Sequence, residues 1–172
     1  WQTPSHHPAV SGEANGVALN HGDNVITQHH VAPITSRKID QTGDPSSAPF
    51  GLKMDGYVFS GGYISVAIHL PILAAKDLQS RHLICMDCRL DIRKPLAIFA
   101  RLHVGNGPNT VKNNIQFPQN CERNILKFDL STVKIAKRRI KIIWVDRIFE
   151  APAMNKITLR DIVFSRHPRA QM

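Results

Sequence analysis

The stretch HLICMDCRLDI, residues 82 to 92, alternates strictly: Ile84, Met86, Cys88, Leu90 and Ile92 share one parity, and Leu83, Cys85, Asp87, Arg89 and Asp91 the other. Side chains two apart stand on the same face of an extended chain, so this period of two writes a β-strand with one apolar and one polar face. The same reading settles its Cys-x-x-Cys. Residues i and i+3 of a strand point to opposite faces, which makes a Cys85 to Cys88 bridge geometrically poor. The turn residue and second ligand pair of a zinc knuckle are missing, as is the helix N-terminus of a redox site. Both cysteines are therefore read as strand residues, and Cys121, the third, could pair with either.

Outward from this strand the period continues. PLAIFARLHVG (95–105) sets Ile98, Ala100, Leu102 and Val104 on one face and Phe99, Arg101 and His103 on the other. GNGPN (105–109) then turns the chain, and Val111, Ile115 and Phe117 mark a return strand. YISVAIHLP (63–71) alternates as well, and with GLKMDGYVF (51–59) across Gly61 and Gly62 it predicts a hairpin. NILKFDLSTV (124–133), RRIKIIWVDRIFEAP (138–152) and NKITLRDIVFSRH (155–167) are further strands. In the last, Ile157 and Leu159 lie on one parity and Ile162 and Phe164 on the other, which calls for a bulge or twist near Asp161. Only ILAAKDLQSRH (72–82) has helical composition, with Pro71 suited to the first turn of a short crossover helix.

Residues 1–49 differ in character, with Pro at 4, 8, 33, 45 and 49 and only short apolar pieces such as GVALN and NVITQ. They predict an irregular arm carrying one or two edge strands, ahead of a β-sandwich domain over residues 50–172. The count from about residue 15 onward is eight to ten short strands separated by Gly, Pro and Asn turns, the pattern of an all-β, antiparallel sandwich of jelly-roll type. A chain of 172 residues, 42% hydrophobic and 20% charged, has enough apolar material for one core without metal or disulfide staples. No run approaches the roughly eighteen apolar residues of a spanning helix, so no transmembrane segment is expected. Because the chain starts at Trp1 rather than Met, it is read as a fragment or processed product.

The net charge of +9 draws partly on Lys134, Lys137, Arg138, Arg139 and Lys141. Such a cluster attracts anions in general, but the fingerprint of a nucleic-acid fold is missing, which argues against nucleic acid as a partner. Nine histidines include two adjacent pairs, His6 with His7 and His29 with His30. Neighbours in an extended segment point opposite ways, so no metal is assigned to them, and no cofactor is expected. Asp146, Glu150 and Asp161 lack the loop spacing of calcium ligands. No G-x-S-x-G, phosphate loop or H-E-x-x-H occurs, so catalysis is not indicated.

The polar faces of the middle strands offer a different chemistry. Asp87 on one strand, Arg101 and His103 on the next, and Asn106 and Asn109 at the adjoining turn would converge if those strands were neighbours. Carboxylate, guanidinium, imidazole and amide are the planar groups that read sugar hydroxyls, usually beside an aromatic platform. Tyr57, Tyr63 and Phe99 are available platforms. Trp144 shares parity with Ile140 and Ile142 and is assigned to the core.

From FGLKMDGYVFSGGYISVAIHLP to the closing MNKITLRDIVFSRHPRA, residues 50 to 170, the sequence resembles an alphaproteobacterial family of unknown function, with Asp87, Arg101, Asn109, Asp146 and Asn155 among the residues at its motif positions. That resemblance implies no activity. The final strands are also similar to galactose-binding-like sandwiches, which commonly end in an apolar strand carrying an Asp, as ITLRDIVF does. The similarity implies a non-catalytic β-sandwich that binds a carbohydrate or other polar polymer through Asp87, Arg101, His103, Asn106 and Asn109. The alternative is an interaction subunit of a larger assembly, docking on a protein partner through an exposed edge strand or the N-terminal arm.

Overall fold

The computed structural model describes residues 10–13, 17–19, 23–28, 33–40, 50–56, 59, 62–118, 123–133, 135 and 140–169. Among them are twelve strands: β1 (Val10–Glu13), β2 (Val17–Leu19), β3 (Asp23–Gln28), β4 (Pro33–Asp40), β5 (Phe50–Gly56), β6 (Tyr63–His69), β7 (His82–Ile92), β8 (Ile98–Asn106), β9 (Asn109–Gln116), β10 (Arg123–Asp129), β11 (Ile140–Glu150) and β12 (Asn155–Pro168). They form two six-stranded antiparallel sheets. Sheet A runs β1-β4-β5-β12-β7-β10 and sheet B runs β2-β3-β6-β11-β8-β9.

From β5 onward every connection crosses from one sheet to the other except the β8–β9 hairpin, whose turn takes Gly107 at φ 66° with Asn106 opposite Asn109. That alternation is the jelly-roll plan, and it separates strands adjacent in sequence. The hairpin expected between β5 and β6 does not form: β5 lies in sheet A and β6 in sheet B. Both strands bury apolar side chains, Met54 from one and Ile64, Val66 and Ile68 from the other. Facing strands satisfy that pattern as well as paired ones do, so the period of two cannot tell them apart.

The expected bulge in the last strand is present, the register of β12 on β7 shifting between Leu159 and Asp161. It lets the strand bury Ile157 and Leu159 and then Phe164 from alternate parities. The helix, α1 (Ile72–Ala75), is one turn behind Pro71 and buries Ala74 and Ala75 at the end of the core. Residues 1–49 contribute four strands rather than one or two, with β1 and β4 at one edge of sheet A and β2 and β3 at one edge of sheet B. Each is short, but a strand of three to eight residues is enough when it adds to a sheet that already exists.

Between the sheets, β7 contributes Ile84, Met86, Cys88 and Leu90, β8 contributes Ile98, Ala100, Leu102 and Val104, and Phe128, Ile143, Val145, Phe149 and Phe164 fill the space between them. Each such side chain, fully removed from water, stabilises the fold by about 1.5–3 kcal/mol. One member of this interior is charged. Arg147 of β11 faces inward and is fully buried, its guanidinium carbon 4.4 Å from the Phe117 ring centroid and 5.9 Å from that of Phe149. None of its three guanidinium nitrogens makes a well-formed hydrogen bond. Burial holds the Arg147 pKa below the ordinary guanidinium value, against the opposing influence of Cys88.

Candidate functional site

The outer face of sheet B gathers the aromatic and polar side chains. Because β11 turns Ile143, Val145, Arg147 and Phe149 inward, the alternate residues Trp144, Asp146 and Ile148 stand on the outer surface. The assignment of Trp144 to the core is thereby corrected. Its parity with Ile140 and Ile142 misleads because the register on β8 shifts between those two residues, and Ile142 is 43% exposed.

Antiparallel register then fixes the neighbours. One row across β6, β11, β8 and β9 reads His69, Trp144, His103, Lys112. The next reads Ala67, Asp146, Arg101, Asn114, and a third Ser65, Ile148, Phe99, Gln116. Strands about 4.8 Å apart hold cross-strand rings at stacking distance. Accordingly His103 stacks on Trp144 with centroids 4.4 Å apart and planes at 9°, and His69 covers the other side at 6.0 Å and 24°. The three rings stand side by side on the sheet. The indole faces are covered, so the ladder offers solvent its ring edges, which carry the positive side of the aromatic quadrupole.

Behind the ladder the polar groups are tied to one another. His103 is only 5% exposed, and its Nε2 lies 2.6 Å from an Asp146 carboxylate oxygen, out of line for a hydrogen bond. Arg101 donates from Nε to Asn114 Oδ1 at 2.9 Å. This bond fixes the side chain while the guanidinium still has donors in its fork. The floor beside these groups is low, with Ser65 and Ala67 of β6 both small and buried.

The structure brings together only part of the set expected from sequence. Arg101 and His103 are two residues apart on the same outer face. Asn106 and Asn109 face each other at the end of the β8–β9 hairpin, beyond the ladder. Asp87 does not join them. It lies on β7 of sheet A, its outward side chain on the opposite side of the sandwich, because the connection from β7 to β8 crosses between sheets. There Arg123 donates to both carboxylate oxygens, at 2.9 Å and 2.5 Å, and holds the Asp87 pKa below its ordinary value. Arg160 with Asp91 and Arg169 with Asp129 extend this ion-paired surface. Trp144, Asp146, His69 and Asn114 are the members of the sheet B surface that the sequence left out; strict alternation through β11 would have found Trp144 and Asp146 once a charged residue was allowed inward at 147, whereas His69 of β6 and Asn114 of β9 join them through strand pairing.

Cys85 and Cys88 sit on opposite sides of β7 as strand residues, and neither is disulfide-bonded. Among the described residues no group of three His, Cys, Asp or Glu side chains gathers as a metal site. No helix among them is long and apolar enough to cross a membrane. Cys121, Tyr57, the two histidine pairs and most of the basic cluster, Lys134 and residues 137–139, fall outside the described residues.

Residues 1–172 match the model of a family of unknown function, DUF6478, and the chain belongs to that family. No curated protein matches it. Among solved structures, it is similar to the enzymatically active domain of tailspike protein 4 of bacteriophage CBA120, at 7% identity and a TM-score of 0.54 over 84% of this chain and 19% of that one. It is also similar to a carbohydrate-binding module of the β-sandwich superfamily, at 10% identity and a TM-score of 0.53 over 92% of this chain and 62% of that one. A third likeness is to a cyclase from Fischerella sp., at 6% identity and a TM-score of 0.51 over 96% and 91%. The chain thus spans about a fifth of the tailspike domain and less than two thirds of the carbohydrate-binding chain. At such identities the likeness is one of fold, a β-sandwich shared by binding modules and enzyme domains.

Proposed function

We propose that this member of the family is a carbohydrate-binding β-sandwich module whose ligand lies across the outer face of sheet B. The observation that carries the reading is the His69–Trp144–His103 ladder, with Asp146, Arg101 and Asn114 in the adjoining row. A sugar presents hydroxyls around its rim and C–H groups on its faces. Arg101 and Asn114 supply donors and an acceptor to the hydroxyls, and the half-buried Phe99 and Ile148 of the next row supply an apolar floor for the C–H groups. Ring stacking and the Arg101 to Asn114 bond hold these groups in place before a ligand arrives, which reduces the ordering cost of binding.

The module acts by binding and not by turnover. The test is a screen of the purified protein against neutral and acidic glycans, followed by calorimetry on each hit with wild-type, Arg101→Ala and Asp87→Ala proteins. A hydrogen bond to a charged donor contributes about 1.5–3 kcal/mol, so Arg101→Ala is expected to weaken binding by roughly 10- to 100-fold. Asp87→Ala, on the other sheet, is expected to leave it unchanged. Silence across the glycans would overturn the carbohydrate reading in favour of an assembly role, and chain cleavage during the assay would make the protein an enzyme.

A further inference from the structure

The outer face of sheet B carries more cation than its own carboxylates take up. Arg101 of β8 and Asp146 of β11 stand directly opposite each other in register, the arrangement of a cross-strand ion pair, yet no ion pair joins them. The Asp146 carboxylate lies instead 2.6 Å from Nε2 of His103, and Arg101 leans the other way, its Nε bonding Asn114 Oδ1 of β9. Two residues before Asn114, on the same face, is Lys112, exposed and diagonal to Arg101. Diagonal neighbours on adjacent strands are about 7–8 Å apart, within reach of long side chains. Among the described residues no ion pair ties Arg101 or Lys112 to a carboxylate, whereas on sheet A Arg123, Arg160 and Arg169 each hold one.

The surroundings reinforce this sign. Lys112 shares its row with His103, Trp144 and His69, whose stacked rings turn their edges outward, and ring edges carry the positive side of the quadrupole. Glu150, the other acid of β11, stands at the end of that strand opposite Tyr63, two rows from Arg101. An anion seated between Arg101 and Lys112 would meet an ammonium and a guanidinium already held by Asn114, and bonds between such charged partners are about twice as strong as neutral ones. Phe99 and Ile148 form the adjoining row on the other side of Arg101, so a sugar ring carrying the anion can rest its C–H face on them.

We infer, resting on the reading of this face as a carbohydrate site, that its ligand is an acidic sugar whose anionic substituent, a uronate carboxylate or a sulfate ester, sits between Arg101 and Lys112 over the β8–β9 pair. The anion supplies the counter-charge that Asp146 does not give Arg101. The rest of the sugar is read by the hydrogen-bonding and apolar groups of the neighbouring rows.

The test compares matched pairs of short oligosaccharides by calorimetry at fixed ionic strength: an oligogalacturonate with its methyl ester, and a sulfated galactan oligosaccharide with its desulfated form. The charged member of one pair is expected to bind about 10-fold tighter or more than its neutral partner, and the pair that shows this preference tells a carboxylate site from a sulfate site. Lys112→Gln is expected to narrow the preference by about 2- to 5-fold, and Arg101→Gln combined with Lys112→Gln to abolish it. Lys127→Gln removes one charge from the exposed edge strand β10 of sheet A and is expected to keep the preference. Neutral members that bind as tightly as charged ones, with loss in Arg101→Ala, overturn the inference and leave the carbohydrate face standing. A preference that survives in the double variant overturns it as well, and so does one that Lys127→Gln lowers as far as Lys112→Gln does, which marks attraction to the net charge of +9. Silence from all four probes also overturns the inference, and silence from the wider glycan screen takes the carbohydrate reading with it.

Discussion

Removing the guanidinium and removing the ring it lies on are not equivalent perturbations. Arg147 is fully buried, its guanidinium carbon 4.4 Å from the Phe117 ring centroid and 5.9 Å from that of Phe149, with no well-formed hydrogen bond at its three nitrogens. Arg147→Met forfeits about 1–2 kcal/mol of cation–π contact but relieves the desolvation of a buried charge, so stability is expected within about 1 kcal/mol of the parent. Phe117→Leu keeps the charge and takes away its nearer ring, which adds the same loss of roughly 1–2 kcal/mol of cation–π contact to a packing loss of about 1–2 kcal/mol. The assay is urea unfolding of the parent, both single variants and the double variant. At a slope of about 2 kcal/mol/M, Phe117→Leu should lower the midpoint by about 1–2 M, and the same change made in Arg147→Met should cost about 1–2 kcal/mol less. Costs that simply add in the double variant would refute the reasoning.

Other positions give sharp expectations of a simpler kind. Asn155 is buried and bonds three backbone groups, accepting from the N–H of Lys94 at 3.1 Å and of Lys156 at 2.9 Å and donating to the Lys94 carbonyl at 2.9 Å, so it fastens the β7–β8 connection to the start of β12. Asn155→Ala is expected to cost about 2–3 kcal/mol in thermal or chemical unfolding, because those groups lose their partner inside the fold. A Cβ on Gly56 would lie 2.8 Å from the Pro152 carbonyl oxygen, a backbone atom with little room to yield, so Gly56→Ala should cost about 1–3 kcal/mol. His82 accepts from the Gln79 N–H through Nδ1, and burial first, then Arg166 and Arg81, hold its pKa below 6.5. The unfolded chain therefore binds the extra proton more readily, and stability should fall as pH drops below about 6.5, a limb that His82→Asn should flatten. Asp87 is held below 3.8, chiefly by its bond from Arg123, so its contribution is present above that pH and lost beneath it. Asp87→Asn should flatten the acid limb in the same unfolding titration.

The sandwich was legible because alternation survives wherever apolar side chains face the core. β7 shows this in Ile84, Met86, Cys88 and Leu90, and the shift of parity between Leu159 and Ile162 marked the β12 bulge. Which strands would pair was not legible. A period of two states that a face is buried but not which sheet covers it, so β5 with β6, and β7 with β8, read as neighbours although each pair is divided between sheets. That ambiguity placed Asp87 beside Arg101. The ring ladder was hidden for a different reason: Arg147 occupies an inward position where hydropathy forbids a charge, and it disguised the alternation that puts Trp144 and Asp146 outside. The departure from pattern that concealed the site is the same residue that charges the core.

The central claim, that ligand binds on the outer face of sheet B, has a reporter built into that face. The chain carries two tryptophans, Trp1 and Trp144, so Trp1→Phe leaves Trp144 as the only indole. Titration of this variant with a glycan that binds in calorimetry should give a saturable change in Trp144 fluorescence at the calorimetric affinity, and the change should be lost with Arg101→Ala. A glycan that binds with full heat while Trp144 emission stays constant and Arg101→Ala binds normally would contradict the account and place the site elsewhere on the sandwich.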